Sequence, residues 1–277
     1  MNIITLTTDF GTKNYWLSAI KTKIIQAVPH VSIIDISHDI SPYNYLECAY
    51  VLKSCIPLHK PNTVHIIGFE ASPKPDIPIL IVQLHKQFFV VADNGLMGLI
   101  TQKKEIEQII SVSKQMINQT PFITLDTLTE IGIELVKGKS PTSLGTIVNQ
   151  IDLLTPDQPI IDPLQSKIKG SIIYIDRYGN LVTNITQSIF RSVLNNQSFR
   201  IHARSFVIDK IFHSYSECAT KYNSTRSPLG SKFAIFNSNK LLEIGVYKGD
   251  PNTVGSASSL YGLNYRDPIT IEFFNSN

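Results

Sequence analysis

The apolar periodicity of this chain changes character once, and that change limits the folds open to it. In the first half, strand-like and helix-like runs alternate. Ile3 to Thr7 reads as a strand, Leu17, Ile20, Ile24 and Ala27 recur at helical spacing as far as Pro29, and Ser32 to Ile36 returns to strand character. Asn44 and Glu47 have the spacing of a capping box ahead of a helix through Leu46, Ala49 and Leu52, which Pro57 ends before a strand from Thr63 to Phe69. Ile79 to Leu84 and Phe88 to Ala92 read as a hairpin, and Asp126 as the cap of a third helix reaching Lys137. This alternation predicts an α/β layer structure on a largely parallel sheet.

After prolines 156, 159 and 163 the helical period weakens. Short β-rich runs follow (Ser171 to Ile175, Leu181 to Ile185, Phe199 to His202, Phe233 to Phe236, Leu242 to Val246, Ile269 to Phe273), separated by turn residues. They predict a small antiparallel barrel or sandwich. The expected division is therefore an α/β domain over 1–155, a semi-rigid linker over 156–166 and a β-barrel domain over 167–277.

A formal charge of +3, from 25 Lys and Arg against 22 Asp and Glu, is too small and scattered for a nucleic-acid binder, so the expected partner is a small molecule. The seven histidines and three cysteines show no metal-ligand spacing, and no metal is expected. Cys48 and Cys55, seven apart on a helix, lie about 10 Å apart along its axis, beyond disulfide reach. Three reduced thiols, no targeting segment and no apolar run of spanning length predict a cytoplasmic protein that enters no membrane.

In an open α/β sheet, ligands bind beyond the carboxyl ends of the strands. Here those ends are polar: Thr7 to Asn14 after the first strand, Ser37 to Asn44 after the second, Asp93 to Leu96 after the hairpin. A carboxylate there can accept both hydroxyls of a ribose. No GxGxxG and no GxxxxGK[ST] is present to cradle phosphates, so the pattern fits a nucleoside without a phosphate chain. Singly, each residue has a plainer reading: Asp9 and Asp93 as turns, Tyr43 and Tyr178 as half-buried packing, His38 and His65 as structural histidines.

The ordered series TTDFG (7–11), DISHDISPYN (35–44), TVHIIG (63–68), DNGL (93–96), IDRYGNLVTNI (175–185) and FNSNKLLEIGV (236–246) resembles the S-adenosyl-L-methionine hydroxide adenosyltransferases, relatives of the fluorinating and chlorinating enzymes. The likeness runs from about Ile3 to Phe273. It implies a Rossmann-like N-terminal domain, a β-barrel C-terminal domain and a homotrimer with sites between subunits. It also implies S-adenosyl-L-methionine as substrate, or adenosine as ligand, with no further cofactor.

By the same resemblance Asp9 grips the ribose hydroxyls and Tyr43 lies beside the sugar. Asp176 and Ser238 hold the methionine amine and carboxylate, while Tyr178 and Asn180 hold adenine. Asn14 stands where the family has a second aspartate near the methionine ammonium. The family's water-polarising Asp-Arg-His set is altered: Glu70 replaces the aspartate, Ile77 the arginine and Ile123 the histidine. Glu70 remains as a proton acceptor, and Thr124 lies where the halogenating relatives present a small hydroxyl residue. The expected activity is attack of water at the ribose 5′-carbon, giving adenosine and L-methionine. Non-catalytic binding of S-adenosyl-L-methionine or adenosine and adenosyl transfer to another nucleophile stand as alternatives.

Overall fold

A computed structural model describes the chain except residues 1, 72–76, 118–121, 165, 225–229 and 276–277, and the side chains of 222–224. The middle of the loop that carries Glu70 and Ile77 thus lies outside the described residues. The chain forms two units, Met1–Pro156 and Asp157–Asn277.

The first unit contains β1 (Ile3–Thr8), α1 (Trp16–Ala27), β2 (Ser32–Ser37), α2 (Tyr45–Cys55), β3 (Val64–Gly68), β4 (Ile79–Leu84), β5 (Gln87–Ala92), α3 (Leu96–Ile100), β6 (Ile106–Val112), α4 (Thr129–Val136) and β7 (Gly145–Ile147). The sheet order is β2-β1-β3-β5-β4-β6-β7. The four strands β2, β1, β3 and β5 run parallel, whereas β4, β6 and β7 join antiparallel, so the sheet is only half parallel. The hairpin is responsible. His85 and Lys86, both at positive φ (51° and 59°), make the tight turn that folds β5 back between β3 and β4.

Alternate strand residues feed two cores. Ile66, Ile79 and Ile81 pack with Ile20, Ile24 and Ile131 on the α1 and α4 face. Ile67, Leu80 and Val82 pack with Cys48, Leu52 and Leu96 on the α2 and α3 face. Helices on both faces explain why β3 to β5 read as continuous apolar runs. Asn44 caps α2 as expected, its side chain accepting the Glu47 N–H. Asp126 is not the N-cap of α4, a position held by Leu128: it sits inside a wide π-type turn, Thr124–Leu128, that leads directly into α4. The wider i→i+5 turn begins ahead of Asp126, so that residue lies within it rather than at a helix start.

The second unit contains β8 (Ile160–Asp162), β9 (Lys167–Ile175), β10 (Leu181–Thr186), α5 (Gln187–Leu194), β11 (Ser198–Ala203), β12 (Phe206–Ile208), β13 (Ile211–Phe212), α6 (Tyr215–Ser224), β14 (Lys232–Phe236), β15 (Leu241–Val246), α7 (Ala257–Tyr261) and β16 (Pro268–Phe274). The strand β8 lies in the proline-rich stretch read as linker and pairs with β9. The path β12-β11-β16-β9-β10-β15-β14-β13 curls until β12 lies beside β14, a nearly closed barrel. Its pairings are antiparallel apart from β13 on β14. Ile168, Ile172, Ile201, Leu242, Ile244 and Ile271 fill it. Among the described residues no helix is long and apolar enough to cross a membrane, and no group of three His, Cys, Asp or Glu side chains could hold a metal. All three cysteines are free thiols.

Candidate functional site

The expected site residues fall into two groups, one in each unit. In the first, three strand ends converge. Asp9 follows β1, Glu70 follows β3, and Asp93, Asn94 and Gly95 follow β5. The main-chain N–H of Glu70 donates to Asp9 Oδ2 at 3.0 Å. The Asn94 amide donates to the carbonyls of Phe69 at 3.1 Å and Glu70 at 3.4 Å, so the Glu70 peptide is held from both sides. Glu70 lies at φ 42°, the left-handed region, at some backbone cost.

Burial pushes the Asp9 carboxyl above the usual carboxylate range, and the neighbouring Glu70 charge adds to the shift, while the N–H groups of Glu70 and of Asp9 itself act against it. Tyr45, opening α2, donates its hydroxyl to the Glu70 carboxylate. Burial and that partner raise the Tyr45 hydroxyl well above its ordinary value, so it stays a donor. A cavity of about 400 Å³ is lined by Tyr45, Glu70, Ile77, Asn94 and Leu154, among others. None of its described lining residues is basic.

Thr124 is buried at the start of the π-type turn and packs on the end of β3. A Cβ at Gly68 would lie 2.5 Å from Thr124 Cγ2, so only glycine admits this approach. Ile123 points into the core on the α1 and α4 face, at 5 % exposure. Asn14 is exposed, and its side-chain oxygen accepts the Trp16 N–H at 3.1 Å, a local cap ahead of α1. Tyr43 is 76 % exposed at φ 61°. That exposure removes the packing reading for it.

In the second unit the group centres on the β9–β10 turn. Both oxygens of Asp176 are taken by Asn180, one by its main-chain N–H at 2.8 Å and the other by its amide at 3.0 Å. Asn180 is buried over Gly245, where a Cβ would come within 2.4 Å of its Oδ1. Between them Tyr178 stands 68 % exposed, so packing does not account for it either. Ser238 is exposed in the turn between β14 and β15.

Two polar groups escaped the sequence reading. Glu243, 5 % exposed on β15, accepts the Tyr215 hydroxyl and the Asn237 amide. Burial raises its carboxyl, and nearby Asp176 adds to the rise. The other is Tyr45. The one available signal was a glutamate in an otherwise apolar strand, Leu241 to Val246.

Comparison with known proteins is consistent across the chain. Residues 4–145 match the SAM hydroxide adenosyltransferase N-terminal domain, and residues 170–270 match the C-terminal domain of the same family. A protein of Methanocaldococcus jannaschii named (R)-S-adenosyl-L-methionine hydrolase is 27 % identical, over 98 % of this chain and 96 % of its own length. One of the same name from Salinispora arenicola is 22 % identical over 73 % of this chain and 81 % of its own. Among solved structures, an uncharacterized conserved protein from Thermotoga maritima superposes with a TM-score of 0.80 at 21 % identity, covering 98 % of this chain and 99 % of that one. A conserved hypothetical protein from Thermus thermophilus gives 0.68 at 17 %, covering 99 % and 100 %. With both domains matched in order over most of its length, the chain belongs to the SAM hydroxide adenosyltransferase family.

Proposed function

We propose that this protein transfers the adenosyl group of S-adenosyl-L-methionine to water. The oxygen of water bonds to the ribose 5′-carbon as the carbon–sulfur bond breaks, methionine leaves as a neutral thioether, and the proton of water passes to Glu70 and on to solvent. Because a sulfonium needs no proton to leave, positioning and exclusion of bulk water supply much of the rate. Asp9 accepts the two ribose hydroxyls, Tyr43 flanks the sugar, and Thr124 steers the water. Asp176, Asn14 and Ser238 hold the methionine moiety, and Tyr178 and Asn180 hold adenine. The working form is a cytoplasmic homotrimer in which each site joins the first unit of one subunit to the second unit of another.

The observation that carries this reading is the contact of the Glu70 N–H with Asp9, since one peptide then ties the nucleoside anchor to the candidate base. Family membership and the names of the two curated relatives support the substrate class. A second reading, binding without turnover, is favoured by Ile77 lining the Glu70 cavity and by Tyr45 occupying the Glu70 carboxylate.

Incubation with S-adenosyl-L-methionine in H₂¹⁸O, followed by liquid chromatography and mass spectrometry, tests both. Adenosine carrying ¹⁸O at the 5′-position is the expected product. Intact S-adenosyl-L-methionine retained at stoichiometry establishes the binder, and a 5′-substituted adenosine without the label identifies a different nucleophile.

A further inference from the structure

His38 takes no part in the chemistry above, yet it touches the chain on both sides of Asp9. It is buried at 5 % exposure just beyond the end of β2. Its ring Nδ1 lies 2.7 Å from the hydroxyl of Thr8, the residue before Asp9. Its ring stacks on Phe10, the residue after Asp9, with centroids 6.4 Å apart and planes at 26°. Its carbonyl accepts the N–H of Gly11 at 2.8 Å. Gly11 sits at φ 69°, so the chain turns sharply directly after the segment His38 holds.

The contacts continue outward from His38. Its Nε2 lies 3.2 Å from Asp35 Oδ1, an electrostatic contact rather than a well-aligned hydrogen bond. Asp35 in turn accepts from Lys21 at 2.5 Å. Burial pushes the Asp35 carboxyl up, but Lys21 and His38 together outweigh it and hold it below the usual range. A carboxylate beside Nε2 favours the tautomer with its proton there. Nδ1 is then the acceptor, and the Thr8 hydroxyl donates to it. On its far side Phe10 packs against Trp16 and Phe122, with centroids 5.5 Å away in each case.

We infer that His38 is a positioning residue: through Thr8, Phe10 and Gly11 it fixes the strand-end peptide that carries Asp9, and so sets the direction in which that carboxylate meets a vicinal diol. The inference rests on the ribose role proposed for Asp9. It goes beyond it by assigning the affinity for the two hydroxyls to a histidine that touches no substrate. A histidine that merely fills the core would affect every ligand alike, whereas one that aims Asp9 affects only ligands that carry the diol.

The test is calorimetric titration of the full-length protein with adenosine and with 2′,3′-dideoxyadenosine. The parent should prefer adenosine, and Asp9→Ala should abolish that preference. Thr8→Val keeps the volume but removes the donor to His38. It should weaken adenosine about five- to tenfold, roughly the worth of one neutral hydrogen bond, and leave dideoxyadenosine unchanged. Thr8→Ser should restore the parent value. On the unmutated protein, the His38 ring ¹⁵N signals should shift on titration with adenosine and not with dideoxyadenosine, a readout that needs no variant to fold. Equal weakening of both ligands by Thr8→Val, or an identical ring response to both, overturns the positioning role while leaving the ribose role intact. An undiminished adenosine preference in Asp9→Ala overturns the ribose role and the inference with it.

Discussion

Glu70 is asked to do two things with one residue. Its N–H holds Asp9, while its carboxylate holds the Tyr45 hydroxyl. A carboxylate fixed by a donor is well placed for a water but shares its charge with that donor, so the two side chains should separate kinetically. Glu70→Gln removes the proposed base and should lower kcat for adenosine formation by about 10²- to 10⁴-fold with little change in KM. Tyr45→Phe removes only the fixing contact and should lower kcat about tenfold. Steady-state chromatography of adenosine release distinguishes them, and equal losses would merge the two roles. The place of Asp9 at a strand end was legible in the sequence, because the polar run Thr7 to Asn14 follows the first strand of an α/β unit. Glu70 was legible only through the family motif, and its contacts were not: Asp9 is 61 positions away and Tyr45 is 25 positions from Glu70, and no local pattern encodes either contact.

Two elements define the ground on which these residues stand. The strand β3 ends at Gly68, against which the π-type turn presses Thr124. Gly68→Ala should cost about 1–3 kcal/mol in thermal or denaturant unfolding, the usual range for overpacking. Combination with Thr124→Ala, which deletes the methyl that is met, should recover part of the loss. Higher in the same strand, His65 is fully buried, with Thr5 Oγ1 2.7 Å from Nδ1 and Gln87 Oε1 2.8 Å from Nε2. Burial lowers its pKa to about 4. An unfolded histidine takes a proton near pH 6.5, so between there and about pH 4 the unfolded chain binds a proton that the native chain refuses. Stability should therefore be fully present above pH 6.5 and fall by about 3 kcal/mol as the pH drops through that window. His65→Gln should flatten that slope in urea titrations read by circular dichroism. Most of the longer elements were legible from period and caps. The π-type turn was not, because nothing in the run Thr124 to Leu128 marks a wider turn, and β12 and β13 are too short to show any alternation.

At the scale of the molecule, the expected site residues divide between the two units, Asp9 and Glu70 in one, Asp176 and Asn180 in the other. If the protein is the proposed homotrimer with sites between subunits, Asp9→Ala and Asn180→Ala proteins, dissociated and reassembled in equal amounts, should regain roughly a quarter of the parent binding sites, since each site then draws at random on two donors. Calorimetric stoichiometry, with exchange verified by native mass spectrometry, gives the count, and no recovery would place the whole site within one chain. The two-part α/β and β-rich organisation was visible in the change of period after the prolines. The sheet order was not, because nothing local in a hairpin says that its second strand will slide in beside β3 and leave its first facing β6. The grip on Asp9 comes from the main chain at position 70, so it is indifferent to which side chain that position carries, as long as the residue keeps its N–H and tolerates a left-handed backbone. With the roles proposed for Asp9 and Glu70, the anchor and the chemistry are therefore separable by mutation. A library at position 70 alone could explore new acceptors for the transferred group without loosening the hold on the sugar.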